Sequence, residues 1–269
     1  MIRNNEEPTI PGIALANADA SILAYAVASG EPVSVSVHST ARHLPKHTSA
    51  NVIGEVPGVG DLADEVIILG AHLDSWDLGV GAIDDGSGVA IVTAAAKMIM
   101  DSGNKPRRTI RVVLYANEEF GLSGATQYYE DYKDKLDKHV VGMEADFGAG
   151  RVWRFSSQVA EDALPLVAEI HELLEPIGLE RGNNKAGGGA DLIPMRKAGM
   201  PVLGMSQDGT KYFDFHHTAD DTLDKIDVDD LNQNVAAYLT AAYVVANIEA
   251  DFGRLPIDDS VTTCAAEDD

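Results

Sequence analysis

The stretch VIILGAHLDSWD, residues 66–77, decides how this chain is read. Val66-Ile67-Ile68-Leu69 is a continuous aliphatic run, the pattern of a buried strand. His72 and Asp74 follow, two residues apart and therefore on the same side of an extended backbone. Such a pair is either a surface histidine with a polar neighbour or a metal ligand with the carboxylate that orients it. The pair by itself leaves both readings open.

Working outward, strand and helix patterns alternate. Residues 52–56 read as a strand, 88–103 as a helix, 108–117 as a strand and 124–136 as an amphipathic helix. A strand over 139–146, a helix over 163–178, a short strand over 200–206 and a long helix over 228–250 complete the series. Ahead of it, residues 13–29 have helical spacing with Asn17 or Asp19 as the cap, and PVSVSVHS (32–39) alternates as a half-buried strand should. The alternation predicts an α/β fold: a central, mostly parallel twisted sheet flanked by helices on both faces.

Bulk properties narrow the function. The 269 residues suffice for one large α/β domain or two small ones. A formal net charge of -23 argues against a nucleic-acid partner, whose phosphates need a basic face. No apolar run approaches a membrane span, so no membrane partner is expected. The opening MIRNNEEPTIPG lacks the apolar core of a signal peptide. Cys264 is the only cysteine, so an intrachain disulfide or a cysteine-held zinc is excluded. Any metal must be held by His, Asp and Glu.

Those residues cluster where a ligand would bind. HLD (72–74) follows the first buried strand, NEEFG (117–121) follows the next, and EAD (144–146) ends the third. DDGSG (84–88) enters a helix, and FHHTADDT (215–222) lies in a late loop. Open α/β sheets bind ligands outside the carboxyl ends of their strands, so these clusters are expected to converge on one rim. Acids gathered there repel one another unless a cation neutralises them. Histidine nitrogen with carboxylate oxygen, without thiolate, suits zinc or a similar first-row ion. Glu118 and Glu119, adjacent at an extended strand end, are expected to point opposite ways, leaving one free for proton transfer. Ser87 reads as a helix-entry cap, and no GxSxG elbow argues for serine chemistry.

The motifs GAHLDSWD, GAIDDGSG, ANEEFGLSGA, EAD and HHTADDT, in this order and spacing, resemble the M28 family of zinc aminopeptidases and carboxypeptidases. HLDSWD, DDGSG and KYFDFHH resemble its carboxypeptidase Q branch most. The resemblance implies two zinc ions per chain. It implies His72 as the histidine of the first metal and Asp74 as the carboxylate orienting it. Asp84 matches the bridging aspartate, with Asp85 beside it structural. Glu118 matches the general base, Glu119 the ligand after it, Asp146 the other metal's carboxylate and His217 the final histidine. His216 is one residue out of register for that role. It and Asp191, which follows the Gly187–Gly189 loop, are candidates for contacting substrate or oxyanion, or are packed loop residues.

The implied activity is hydrolysis of short peptides from an end, of the aminopeptidase or dipeptidase type. Two alternatives share the fold: a single-zinc glutaminyl-cyclase-like enzyme and a non-catalytic binding domain. The resemblance also implies a secreted or periplasmic setting and admits a homodimer. Residues 1–50 are expected to be the remnant edge of a protease-associated domain, 51–253 the catalytic domain and 254–269 an acidic tail. His139, His171 and Trp153 read as structural, as does Trp76 despite its place beside the ligand loop.

Overall fold

The computed structural model describes residues 12–30, 32–40, 44–249 and 251–258; Cys264 and the end of the acidic tail lie outside them. Packing separates two compact units, Met1–Thr48 and Ser49–Asp269. In the first, α1 spans Asn17–Ala28 and buries none of its residues. Its N-cap is Ala16, with no side-chain cap, so neither Asn17 nor Asp19 does what was expected of it. Residues 32–40 form no strand, although the valines alternate. Val33, Val35 and Val37 are all exposed. Alternation marks a half-buried face only where a neighbouring strand takes the backbone hydrogen bonds, and no strand lies among the described residues of this unit.

The second unit holds the sheet. β1 (Val52–Val56) and β2 (Val66–His72) precede α2 (Ser87–Asp101). β3 (Thr109–Tyr115), α3 (Ser123–Tyr132) and β4 (His139–Glu144) follow. Then come β5 (Val152–Gln158), α4 (Leu164–Leu174), β6 (Glu180–Arg181) and α5 (Ile193–Lys197). β7 (Val202–Gln207), the single turn α6 (Tyr212–Phe215) and α7 (Val228–Asn247) complete it. The strand order is β1-β3-β2-β4-β7-β5-β6. β3, β2, β4 and β7 run parallel, β1 pairs antiparallel with β3 and β5 with β7, and β6 is parallel to β5. The sheet is thus mixed around a parallel centre, as the α/β reading predicts.

β2 is buried along its whole length, which explains its unbroken aliphatic run. Ile67, Leu69 and Ala71 pack with α2, α4 and α7 on one face. Val66 and Ile68 pack with Ala125 and Tyr128 of α3 and Met195 of α5 on the other. Helices therefore cover both faces, and only the strand ends remain for function. Among the described residues, no helix is long and apolar enough to cross a membrane.

Candidate metal centre

Strand register builds the cluster. His72 is the last residue of β2 and sits opposite Tyr115, the last of β3. Glu118 and Glu119 therefore emerge beside it after a short turn. Gly70 pairs with Glu144 of β4, so Asp146 emerges on the other side. Asp84 comes from the loop entering α2. The Asp84–Asp85 peptide is cis.

His72 is held from behind. Its Nδ1 lies 2.8 Å from the Asp74 carbonyl oxygen, which only accepts, so Nδ1 carries the hydrogen and Nε2 faces the cluster. The Asp74 carboxylate was expected to do this orienting, but it stands 3.8 Å away. It accepts instead from the backbone N–H groups of Glu118 (2.9 Å) and Glu119 (3.2 Å). Asp74 thus orients the histidine with its main chain and the two glutamates with its side chain. The glutamates are not on an extended strand end. Asn117 has φ 60° and Glu118 and Glu119 sit in a turn, so this turn, not strand pleating, directs them.

Around Asp84 the donor atoms meet. His72 Nε2 is 3.0 Å from Asp84 Oδ1 and 3.3 Å from Asp146 Oδ1. His217 Nε2 is 3.1 Å from Asp84 Oδ2 and 2.9 Å from Glu119 Oε2. His216 Nε2 lies 3.2 Å from Asp84 Oδ2, its ring stacked on that of His217 at 3.5 Å. Among the described residues, three sets of atoms are close enough to share an ion: His72, Asp84 and Glu119; His72, Asp85 and Asp146; Asp84, His216 and His217. Asp85 is already occupied, accepting from the N–H groups of His72 (3.0 Å) and Gly88 (3.1 Å). It, rather than Ser87, caps the entry to α2; the Ser87 hydroxyl donates back to the Ile83 carbonyl.

The electrostatics fit a cation. Burial by itself would lower the His72 pKa, but the carboxylates of Asp146 and Asp84 together raise it. Burial, then the charge of Asp84, pushes Glu119 up to about 7. Glu119 Oε1 is buried without a hydrogen-bond partner, while Oε2 accepts from the Trp76 indole at 2.8 Å. A buried carboxylate oxygen with no donor, among imidazole nitrogens and other carboxylates, is what a divalent cation satisfies.

Two positioning groups escaped the sequence reading. Asp221 accepts from the backbone N–H groups of Ile83 and, at 3.2 Å, Asp84. The signal was present, as the second aspartate of HTADDT. Glu144 accepts from the Asp191 N–H at 3.0 Å, behind the cluster. Asp191 is fully buried and neither carboxylate oxygen has a partner. Burial, then the charge of Glu118, pushes it up to about 8. Gly187, Gly188 and Gly189 line a cavity of about 370 Å³ beside Asp146; Asp191 does not. The Trp76 ring lies tilted against His217, with centroids 4.8 Å apart, and its indole donates to Glu119, so it serves the cluster rather than merely filling space. Trp153 is largely exposed.

Similarity to known proteins agrees with this geometry. The model of peptidase family M28 matches residues 51–242. Carboxypeptidase Q of Rattus norvegicus is 34% identical over 242 residues, covering 90% of this chain and 51% of that protein. Carboxypeptidase Q of Homo sapiens is 33% identical over the same length and coverage. The chain therefore spans about half the length of these relatives. A peptidase M28 precursor from Shewanella amazonensis SB2B superposes with a TM-score of 0.74 at 52% identity, over 77% of this chain and 46% of that one. A zinc aminopeptidase from Bacillus subtilis, at 21% identity and TM-score 0.59 over 77% of this chain and 53% of that one, shares the fold. A match across most of the chain, on top of a histidine–carboxylate cluster at the sheet's carboxyl rim, makes this chain a member of the M28 family of metallopeptidases.

Proposed function

We propose that residues 51–253 form the catalytic domain of a di-zinc exopeptidase acting on short peptides. The observation that carries this reading is the position of Asp84, whose two oxygens face His72 on one side and His217 on the other. His72, Asp84 and Asp146 would hold one ion; Asp84, Glu119 and His217 would hold the second. When bound, the metals supply a Lewis acid for the scissile carbonyl and a water acidic enough to attack it at neutral pH. Glu118 is the general base. It is buried beside the cluster, and the Asp74 carboxylate fixes its backbone. It takes the water's proton and delivers it to the leaving amine, so no covalent intermediate is needed. The carboxylates of the rim favour a substrate's free ammonium group, which supports release of an N-terminal residue.

Metal analysis tests the reading against its alternatives. Two zinc ions per chain support it, one favours the cyclase-like alternative, and none favours a binding domain. Glu118→Gln should keep both metals and lower kcat by about 10²–10⁴-fold on a free dipeptide. Turnover near wild type would remove Glu118 from the base role.

A further inference from the structure

The cavity beside Asp146 is lined by charges of both signs. Glu144 and Asp146 are its acids, and Asp146 also faces His72 in the cluster. Arg154 and Lys185 line the cavity as well. In a chain carrying a net charge of -23, two cations set against the two acids of this lining are a local departure from the acidic average. Arg154 is half-buried on β5 and has no ion-pair partner among the described residues. Its guanidinium carbon lies 4.4 Å from the centroid of the Trp153 ring. Stacking of that kind engages the face of the guanidinium and leaves its edge for hydrogen bonds. Nε makes one long contact, 3.4 Å, to Ser206 Oγ. The terminal nitrogens have no hydrogen-bond acceptor among the described residues. A fork of N–H donors held by an aromatic face, at the edge of a cavity, is built for a carboxylate.

We propose that Arg154 is a specificity-determining residue that binds a carboxylate of the substrate residue on the leaving side of the scissile bond, with Lys185 adding to the field. This rests on the hydrolase reading above and extends it to the other end of the peptide. The bond to be cut would lie beside Asp146, which the cavity shares with the cluster, and Arg154 would hold the charge of the departing amino acid. The pocket would thereby confine cleavage to peptides in which a carboxylate follows closely on the cut, as in dipeptides. That carboxylate is either the chain terminus or an acidic side chain.

Three peptides separate the sources on the zinc-loaded protein: alanyl-alanine, its amide, and alanyl-glutamate α-amide. The first has only a terminal carboxylate, the second none, and the third only a side-chain carboxylate. Arg154→Gln should raise KM by about 10- to 100-fold on the peptide whose carboxylate is bound, leaving the alanyl-alanine amide unaffected. Arg154→Lys should recover part of the loss, because it keeps the charge without the fork. Loss on the first peptide identifies the terminus, and loss on the third the side chain. An equal effect on all three, or none, overturns the assignment. If the wild-type protein cleaves none of them, the hydrolase reading fails and the pocket is judged by calorimetry with alanyl-alanine and alanyl-glutamate α-amide. Binding of either that Arg154→Gln weakens at least tenfold supports it; unchanged or undetectable binding of both overturns it.

Discussion

His72 and His139 lie at opposite ends of the sheet and are equally buried, each 1% exposed. His72 closes β2 among the carboxylates of Asp84 and Asp146, and its pKa is raised against the pull of burial. His139 opens β4, between the Tyr128 hydroxyl at 2.9 Å and the Lys135 carbonyl at 3.1 Å. Burial lowers its pKa to about 4, with the Lys135 carbonyl opposing and the charges of Arg111 and Arg254 adding. The same residue type at the same burial is driven in opposite directions by its neighbours. The two ends of the sheet differ in the same way. At the amino end charges are paired: Arg108 with Glu65 at 2.6 Å, and Arg107 with Glu249 at 3.0 Å and Asp61 at 3.4 Å. A cavity of about 600 Å³ opens there, yet its arginines are countered by acids of its own lining. At the carboxyl end the carboxylates of Asp84, Glu119 and Asp146 face histidines, and among the described residues no arginine or lysine pairs with them. Arginines paired with acids support the fold, while buried carboxylates gathered on histidines are suited to holding a cation.

The largest effect should come from Asp84→Ala. If the two proposed ions share Asp84, removing its carboxylate would leave them facing each other without a shared anion. At least one metal and essentially all peptidase activity should be lost together, whereas far-ultraviolet circular dichroism stays native. Full metal occupancy in this variant would show that Asp84 is not the bridge, and the contrast between the ends would lose its functional half.

Arg108→Met probes the other end. Arg108 is buried, donates to Glu65 and also donates to the carbonyl oxygens of Val245 and Ile248 at the end of α7. Its loss strands a partly buried carboxylate and two carbonyls, a cost of about 3 kcal/mol. Urea unfolding should register that loss while the metal count per folded chain stays at the wild-type value. A fall in metal content would mean that the two ends are coupled.

The legible parts of the chain are those in which one physical signal dominates. The β2 run and the 3.6-residue spacing of α2 and α7 report burial directly, and the acids and histidines at strand ends report the rim. β5 was not foreseen. Its sequence, VWRFSSQ, mixes an exposed tryptophan and a half-exposed arginine with buried serines, so no clean alternation of apolar and polar residues marks it as a strand. The valines of residues 32–40 misled for the opposite reason, carrying a strand's alternation with no strand beside them. At the site, which acids and histidines gather was readable from motif order. The jobs of Asp74, Asp85 and Asp221 were not, because each acts by accepting a backbone N–H from a residue distant in sequence or across a turn. Such bonds depend on where loops meet, which no local pattern encodes.

The smallest predicted effect concerns His139 and its sign follows from linkage. The folded pKa of about 4 lies below the ordinary histidine value of about 6.5. Between these values the unfolded chain binds a proton that the folded chain refuses. Stability from this site is therefore complete above about pH 6.5, falls as the pH drops towards 4, and falls no further below it. At pH 5 the loss is about 2 kcal/mol, at about 1.4 kcal/mol per pH unit. The metal cluster also loses ions to protons over this range, so the wild-type profile alone would not isolate His139. His139→Gln removes the titrating group while retaining an amide that can accept from Tyr128. Urea unfolding of both proteins at pH 7.5 and pH 5 shares the metal contribution and differs by His139. The variant should lose about 2 kcal/mol less on acidification. Equal losses would show that His139 takes up its proton normally in the folded protein, and that the contrast between the two buried histidines does not hold.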